Sequence, residues 1–582
     1  MARAFPLLLL PALLAAACSA DPALAEGGGR GPEALSRPAV ARAADDGEAD
    51  SGRERRAARL AREREAERRF RAIGLVRGGI ALAGFGVFGW GVWLRRRGVP
   101  DRAATIRISL LSLLAVASFA AYYNFFRASH PGGFKGADVY HYYMGSKYFE
   151  EIGYFELYHC TLAALLEDGR QDPHEIPPVR NQRDLRLQSR EATLEGAREC
   201  PRRFEPARWS EFKGDVAFFR GRILGASWSQ LLEDHGYNPT PVWSFVGGLF
   251  SKRVAADSEG FGVLITLDRV LVVAIAGLLA WAFGIEAACL AALVWGASPL
   301  WSYDWIGDAF LRNLWLFCAV AGLCLLERGR ALPAGGLLAA SALLRLFPGA
   351  FAAGYFAHVL RHSPRAGVPA EARRFAIGVA AATAILLAGG AFGTGRGPGA
   401  YLEFREKVSG VVSQPGVNKV GLSALVGDLA YRATTHEVTV SSGRSVRLPE
   451  PAPLLVATLR AVQVAIVAAG LFAFWRGLRR VSAAEAAVLS FALIPLLTSP
   501  TNYYYPFVTF AAMLSPRRPW TGVALGVATL AWIAAAQIWF QEDLRHRASD
   551  AVAVIFSLVI LFGVAFSRPP APDSGPRAST TA

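Results

Sequence analysis

The first thing this chain lacks is charge. Only 19% of its 582 residues are Asp, Glu, Lys or Arg, while 53% are hydrophobic, which excludes disorder and most soluble classes. It holds only 6 cysteines and 58 glycines, too few for a disulfide scaffold or a collagen repeat. No Cys/His spacing suits a metal and no glycine loop opening a helix cradles a phosphate. No internal repeat is strong enough to mark inverted transporter halves. The expectation is a protein without metal or cofactor.

The apolar residues stand in unbroken blocks of about 17 to 22, the length that crosses a hydrocarbon layer of roughly 30 Å. This predicts an all-α polytopic membrane protein with about thirteen transmembrane helices. Two blocks, 331–361 and 482–514, are broken by Pro348 and Pro500 into short pieces. The net charge of +15, mostly arginine, sits in the short loops between blocks. There it sets topology against anionic headgroups, and a nucleic-acid partner is not expected.

The expected layout is a signal peptide at 1–25, a charged tether or surface helix at 26–73, and two spans within 74–123. A large extracytoplasmic loop domain follows at 124–261, then spans over 262–394. A second extracytoplasmic loop covers 395–453, spans fill 454–567, and 568–582 is a cytoplasmic tail. The run ending at Cys18 leaves a lipoprotein signal open beside ordinary cleavage near Ala20 to Ala25. Arginine clusters at Arg95–Arg97, Arg373–Arg374, Arg479–Arg480 and Arg517–Arg518 place their loops in the cytoplasm. The protein is therefore expected in the inner (plasma) membrane with its long loops on the outer face. Cys160 and Cys200 share the first of these loops, where a disulfide is plausible. Cys289, Cys318 and Cys324 read as intramembrane packing residues.

The densest polar signal is the stretch Asp138-Val-Tyr140-His141-Tyr142-Tyr143-Met-Gly-Ser-Lys147. A carboxylate at a partly dehydrated interface suits a general base; ordinary interfacial tyrosines are the bland alternative. A second feature is Trp301-Ser-Tyr-Asp304-Trp305-Ile-Gly-Asp308, followed by Arg312. Asp304 or Asp308 either pairs with Arg312 or adds a carboxylate to the same cleft. Arg345, in an apolar span before Pro348, is a site candidate because a charge there is costly. Its guanidinium can neutralise a phosphate, or it can snorkel to the interface. Asp268 and Arg269 read as a buried ion pair. Asn418 in the second loop, and Asn502 and Tyr503 in the late Ser499-Pro500 turn, are candidate sugar-hydroxyl ligands, although Asn and Tyr also make ordinary caps.

These motifs together resemble the GT-C superfamily of membrane glycosyltransferases, nearest to the polyprenol-phosphate-mannose-dependent α-mannosyltransferases. The matching residues are Asp138, Tyr140 and Gly153-Tyr154 in the first loop, Arg345 before Pro348, Asn418 to Leu422, and Ser499-Pro500 before aromatics. Lys419 and Gly421 depart from the third pattern, and the first loop is enlarged between Cys160 and Lys252. The resemblance implies a GT-C-like fold. It also implies transfer of a hexose such as mannose from a polyprenyl-phosphate donor to an envelope glycan or glycolipid acceptor. Asp138 would be catalytic. Tyr140, His141, Lys147, Asp304, Asp308, Arg312, Arg345, Asn418, Asn502 and Tyr503 would bind substrate. A lipid or solute transporter and a noncatalytic envelope scaffold are the rival readings.

Overall fold

The charged segment before residue 74 does not stay apart from the first span. The computed structural model describes residues 46–126, 136–223, 226–363, 367–413, 418–433, 435–439, 445–449, 452–539 and 542–567. In it, tether and span form one 52-residue helix, α1 (Asp46–Arg97). Its charged half carries i,i+4 pairs, Glu65–Arg69 at 2.8 Å and Glu67–Arg71 at 2.6 Å, of the kind that supports a solvated helix. The expected signal peptide and cytoplasmic tail lie outside the described residues.

The chain returns through α2 (Ala104–Tyr122). The first long loop then folds as α3 (Gly136–Lys147), α4 (Leu157–Glu167), α5 (Arg190–Glu199), α6 (Pro206–Arg222) and α7 (Pro241–Ser251). Local chemistry starts these helices. Ser189 and Thr240 cap α5 and α7 by accepting from Ala192 and Trp243 N–H, and Pro241 occupies a first-turn position where no N–H is missed. Cys160 and Cys200 are disulfide-bonded with Cα atoms 5.1 Å apart, tying α4 to the end of α5 across 40 residues. Closing a loop of that length stabilises the fold by roughly 4 kcal/mol in the chain-entropy account. Tyr140, Tyr148, Tyr154, Tyr158 and Tyr237 are fully buried with Phe149 and Phe219. These tyrosines build the core of the loop rather than a belt at the interface.

Apolar helices resume with α8 (Ser258–Phe283), α9 (Ile285–Ala297), α10 (Leu314–Glu327), α11 (Ala331–Leu344), α12 (Gly349–His362) and α13 (Ala370–Phe392). The second long loop holds α14 (Gly399–Ser413), α15 (Leu422–Ala433) and an antiparallel hairpin of β1 (Thr435–Thr439) with β2 (Ser445–Pro449). That hairpin is the sole sheet among the described residues of an otherwise all-α membrane protein. The chain ends through α16 (Pro453–Gly477), α17 (Ala483–Leu489), α18 (Pro519–Ile538) and α19 (Glu542–Phe566).

Among the described residues seven helices, not thirteen, are long and apolar enough to cross a membrane. The others are too short: a 13-residue helix such as α9 spans only about 20 Å. Nearly all of α9 is buried, whereas the apolar window of Pro453–Arg480 is only 6% buried. Composition alone does not separate helices that face lipid from helices that face protein. Both proline-broken blocks are indeed split, 331–361 at Arg345 to Pro348 and 482–514 at Thr498 to Thr501.

Candidate functional site

Helix periodicity divides α3 into two working faces. Tyr140, Tyr143 and Lys147, at i, i+3 and i+7, turn toward α6. Tyr140 packs edge-on to Phe219 at 5.1 Å and hydrogen-bonds Thr161, while Tyr143 donates to the Val254 carbonyl at 2.6 Å. Lys147 Nζ is buried between Asp215 at 2.7 Å and Glu211 at 2.9 Å. His141 lies beside them, its Nε2 2.7 Å from Tyr158 Oη, and burial pushes its pKa down. The structure therefore does not bring Tyr140 or Lys147 to Asp138. It spends them on holding α3, α4 and α6 together.

Asp138 and Tyr142, at i and i+4, share the opposite face and meet Arg312 and Arg345, which follow α9 and α11. Asp138 Oδ2 pairs with Arg312 Nη2 at 2.9 Å, a partner that the sequence did not point to. Arg345 donates from Nη2 to Tyr142 Oη at 3.0 Å and from Nη1 to the Leu344 carbonyl at 3.1 Å. Its Nε has no hydrogen-bond partner, and no carboxylate among the described residues pairs with it. The residue sits in an extended break after α11, where Pro348 has no N–H to offer the Leu344 carbonyl and the helix stops. Only 7% and 8% of Arg312 and Arg345 are exposed.

Aromatic faces surround both cations. The Arg312 guanidinium lies 4.7 Å from the Tyr503 ring centre, and Arg345 lies 5.5 Å from each of Tyr142 and Tyr504, a range in which ring quadrupoles attract cations. Tyr503 and Tyr504 reach the site on a turn that the second long loop braces. Asn502 N–H donates to the Asn418 carbonyl at 2.8 Å, Val420 N–H to the Pro500 carbonyl at 3.0 Å, and Tyr505 Oη to the Val420 carbonyl at 2.6 Å. Asn418 and Asn502 thus join through backbone, and the Asn502 side chain accepts from Tyr503 N–H at 2.9 Å. Gly421, at φ 144°, donates its N–H to Asp550 Oδ1 at 2.8 Å.

Two pairings differ from those expected. Asp308 pairs with Arg269 at 2.7 Å, not with Arg312. Asp268 does not pair with Arg269, because adjacent helical residues point about 100° apart; it accepts from Asn313 instead. The side chain of Asp304 lies outside the described residues. Sequence reasoning left Tyr142, Tyr504, Asn313 and Asp550 out of the site. Tyr142 was findable from its i+4 relation to Asp138, whereas nothing local in sequence links Asp550 to Gly421.

One place thus gathers Asp138, Arg312, Arg345 and Tyr503 from four distant parts of the chain. Fixed guanidiniums there can hold an anion, aromatic faces can stack on a sugar ring, and a carboxylate stands beside them to accept a proton. Among the described residues, no group of three or more His, Cys, Asp and Glu is placed to hold a metal ion. Comparison of this chain with protein-family models, curated proteins and solved structures finds no match.

Proposed function

We propose that the protein is an integral-membrane glycosyltransferase that moves a hexose from a polyprenyl-phosphate donor to an envelope glycan or glycolipid. The observation that carries this reading is Arg345, a buried guanidinium with a free Nε and no carboxylate partner among the described residues. An unpaired buried cation is costly, and a phosphate offers the bidentate acceptor that would offset that cost. In this reading Arg345 and Arg312 hold the donor phosphate and stabilise the charge that grows on it as the glycosidic bond breaks. Asp138 takes the proton from the attacking acceptor hydroxyl, while Tyr503 and Tyr504 offer ring faces to the sugar. The active face is the extracytoplasmic one, in keeping with the arginine asymmetry of the loops.

The test is mass spectrometry of envelope glycolipids and glycans from cells carrying the wild-type protein, no protein, or Asp138→Asn at equal abundance. The expected result is loss of one hexose-sized increment in both the null and the variant. An Asp138→Asn profile identical to wild type contradicts the mechanism.

A further inference from the structure

Two neighbouring residues of α8, Asp268 and Arg269, have no part in the chemistry above, yet both grip the segment that carries Arg312. Asp268 is buried and accepts from Asn313 twice, from its N–H and from Nδ2, each at 2.8 Å. Arg269 donates to Asp308 Oδ1 from Nε at 2.9 Å and Nη2 at 2.7 Å. The other Asp308 oxygen accepts from Tyr303 Oη. Between these two anchors the backbone is strained: Asp308 and Leu311 adopt φ of 54° and 50°. Asp tolerates such an angle, whereas Leu311 holds it only where its surroundings impose it. Arg312 follows directly and reaches Asp138 at 2.9 Å.

We infer that Asp268 and Arg269 form a clamp that sets the position of the Arg312 guanidinium, making them positioning residues for the anion site. This rests on reading Arg312 and Arg345 as phosphate ligands. The clamp works because its two arms diverge around α8, one taking each end of the strained arch. Releasing either arm lets Asp308 and Leu311 relax toward ordinary angles and carries Arg312 with them. A displacement of about 1 Å is enough to spoil alignment in a preorganised site. Arg269 is the informative arm, since its side chain is 48% exposed. Its partner Asp308 is only 4% exposed, so Arg269→Gln, whose amide can still donate to Asp308, is chosen over a truncation that would strand that carboxylate.

The experiment titrates the full-length protein in detergent with dodecyl phosphate, read by intrinsic tryptophan fluorescence, with thermal unfolding measured on the same samples. Arg345→Gln is expected to abolish binding. Arg269→Gln is expected to weaken it about tenfold in protein still folded at the temperature of the titration, with Arg269→Lys recovering most of the loss. Asp308→Asn, which keeps a residue tolerant of left-handed angles but removes the charge, is expected to fall between them. Loss of binding in Arg345→Gln with wild-type affinity in Arg269→Gln and Asp308→Asn overturns the clamp and leaves the anion site standing. Retained binding in Arg345→Gln overturns the anion site itself, and the clamp with it.

Discussion

Lys147 and Arg345 are both buried cations, and their surroundings could hardly differ more. Lys147 has two carboxylates within 2.9 Å and serves the packing of α3 against α6. Arg345 has a tyrosine hydroxyl, one carbonyl and an unsatisfied Nε. A buried ion pair is strongly destabilising to break, because it strands the remaining charge; a buried cation with no counter-charge leaves nothing stranded when it is removed. The contrast separates a residue that holds the fold from one that is open to a ligand.

The largest expected effects test that contrast directly. Lys147→Met strands Asp215 and should cost about 3–5 kcal/mol. Arg345→Met should change stability by less than about 1 kcal/mol or raise it, and thermal unfolding in detergent reads both. Next in size is the disulfide on the Lys147 side of the molecule. Cys160→Ser with Cys200→Ser should cost about 2–4 kcal/mol, seen as a lower melting temperature without loss of dodecyl phosphate binding.

A third cation sharpens the comparison through pH. Lys407 Nζ is buried against the Gln182 carbonyl and Oε1 at 2.9 and 2.6 Å. Burial pushes its pKa down to about 7, with Asp234 opposing the shift and Arg180 reinforcing it. An unfolded lysine keeps its proton to about pH 10.4, so between these values the unfolded chain binds more protons. Stability from this group is therefore full above that range and lost as pH falls toward 7, by up to about 1.4 kcal/mol per pH unit. Melting temperatures at several pH values from 7.5 to 9.5 should rise in the wild type and flatten in Lys407→Met. Tyr142→Phe acts on affinity rather than on stability. Removing the hydroxyl that accepts from Arg345 should change dodecyl phosphate affinity by about 1 kcal/mol, while Tyr140→Phe, on the other face of α3, should leave affinity unchanged.

The two faces of α3 also show what was legible in the sequence. Asp138, Arg312 and Arg345 stand out because charge beside apolar blocks is costly, and the structure gathers them. Tyr140 and Lys147 looked equally promising in the same motif, but helical angles turn them away. A tyrosine buried in a soluble core and one at a membrane interface have the same amphipathic chemistry, so residue type could not separate them. The excess of expected spans has a similar origin: α9 is as apolar as a lipid-facing helix because it is enclosed by protein. The bracing of Asn502 by Asn418, and of Gly421 by Asp550, joins segments far apart in sequence and leaves no local pattern.

Transfer of radiolabelled hexose from a polyprenyl-phosphate donor into envelope acceptors tests the proposed chemistry itself. It would use membranes containing wild-type protein, Arg345→Met or Asp138→Asn at equal abundance. Labelled product is expected from wild type, and at least about a hundredfold less from either variant. Equal product from all three sets of membranes would contradict it.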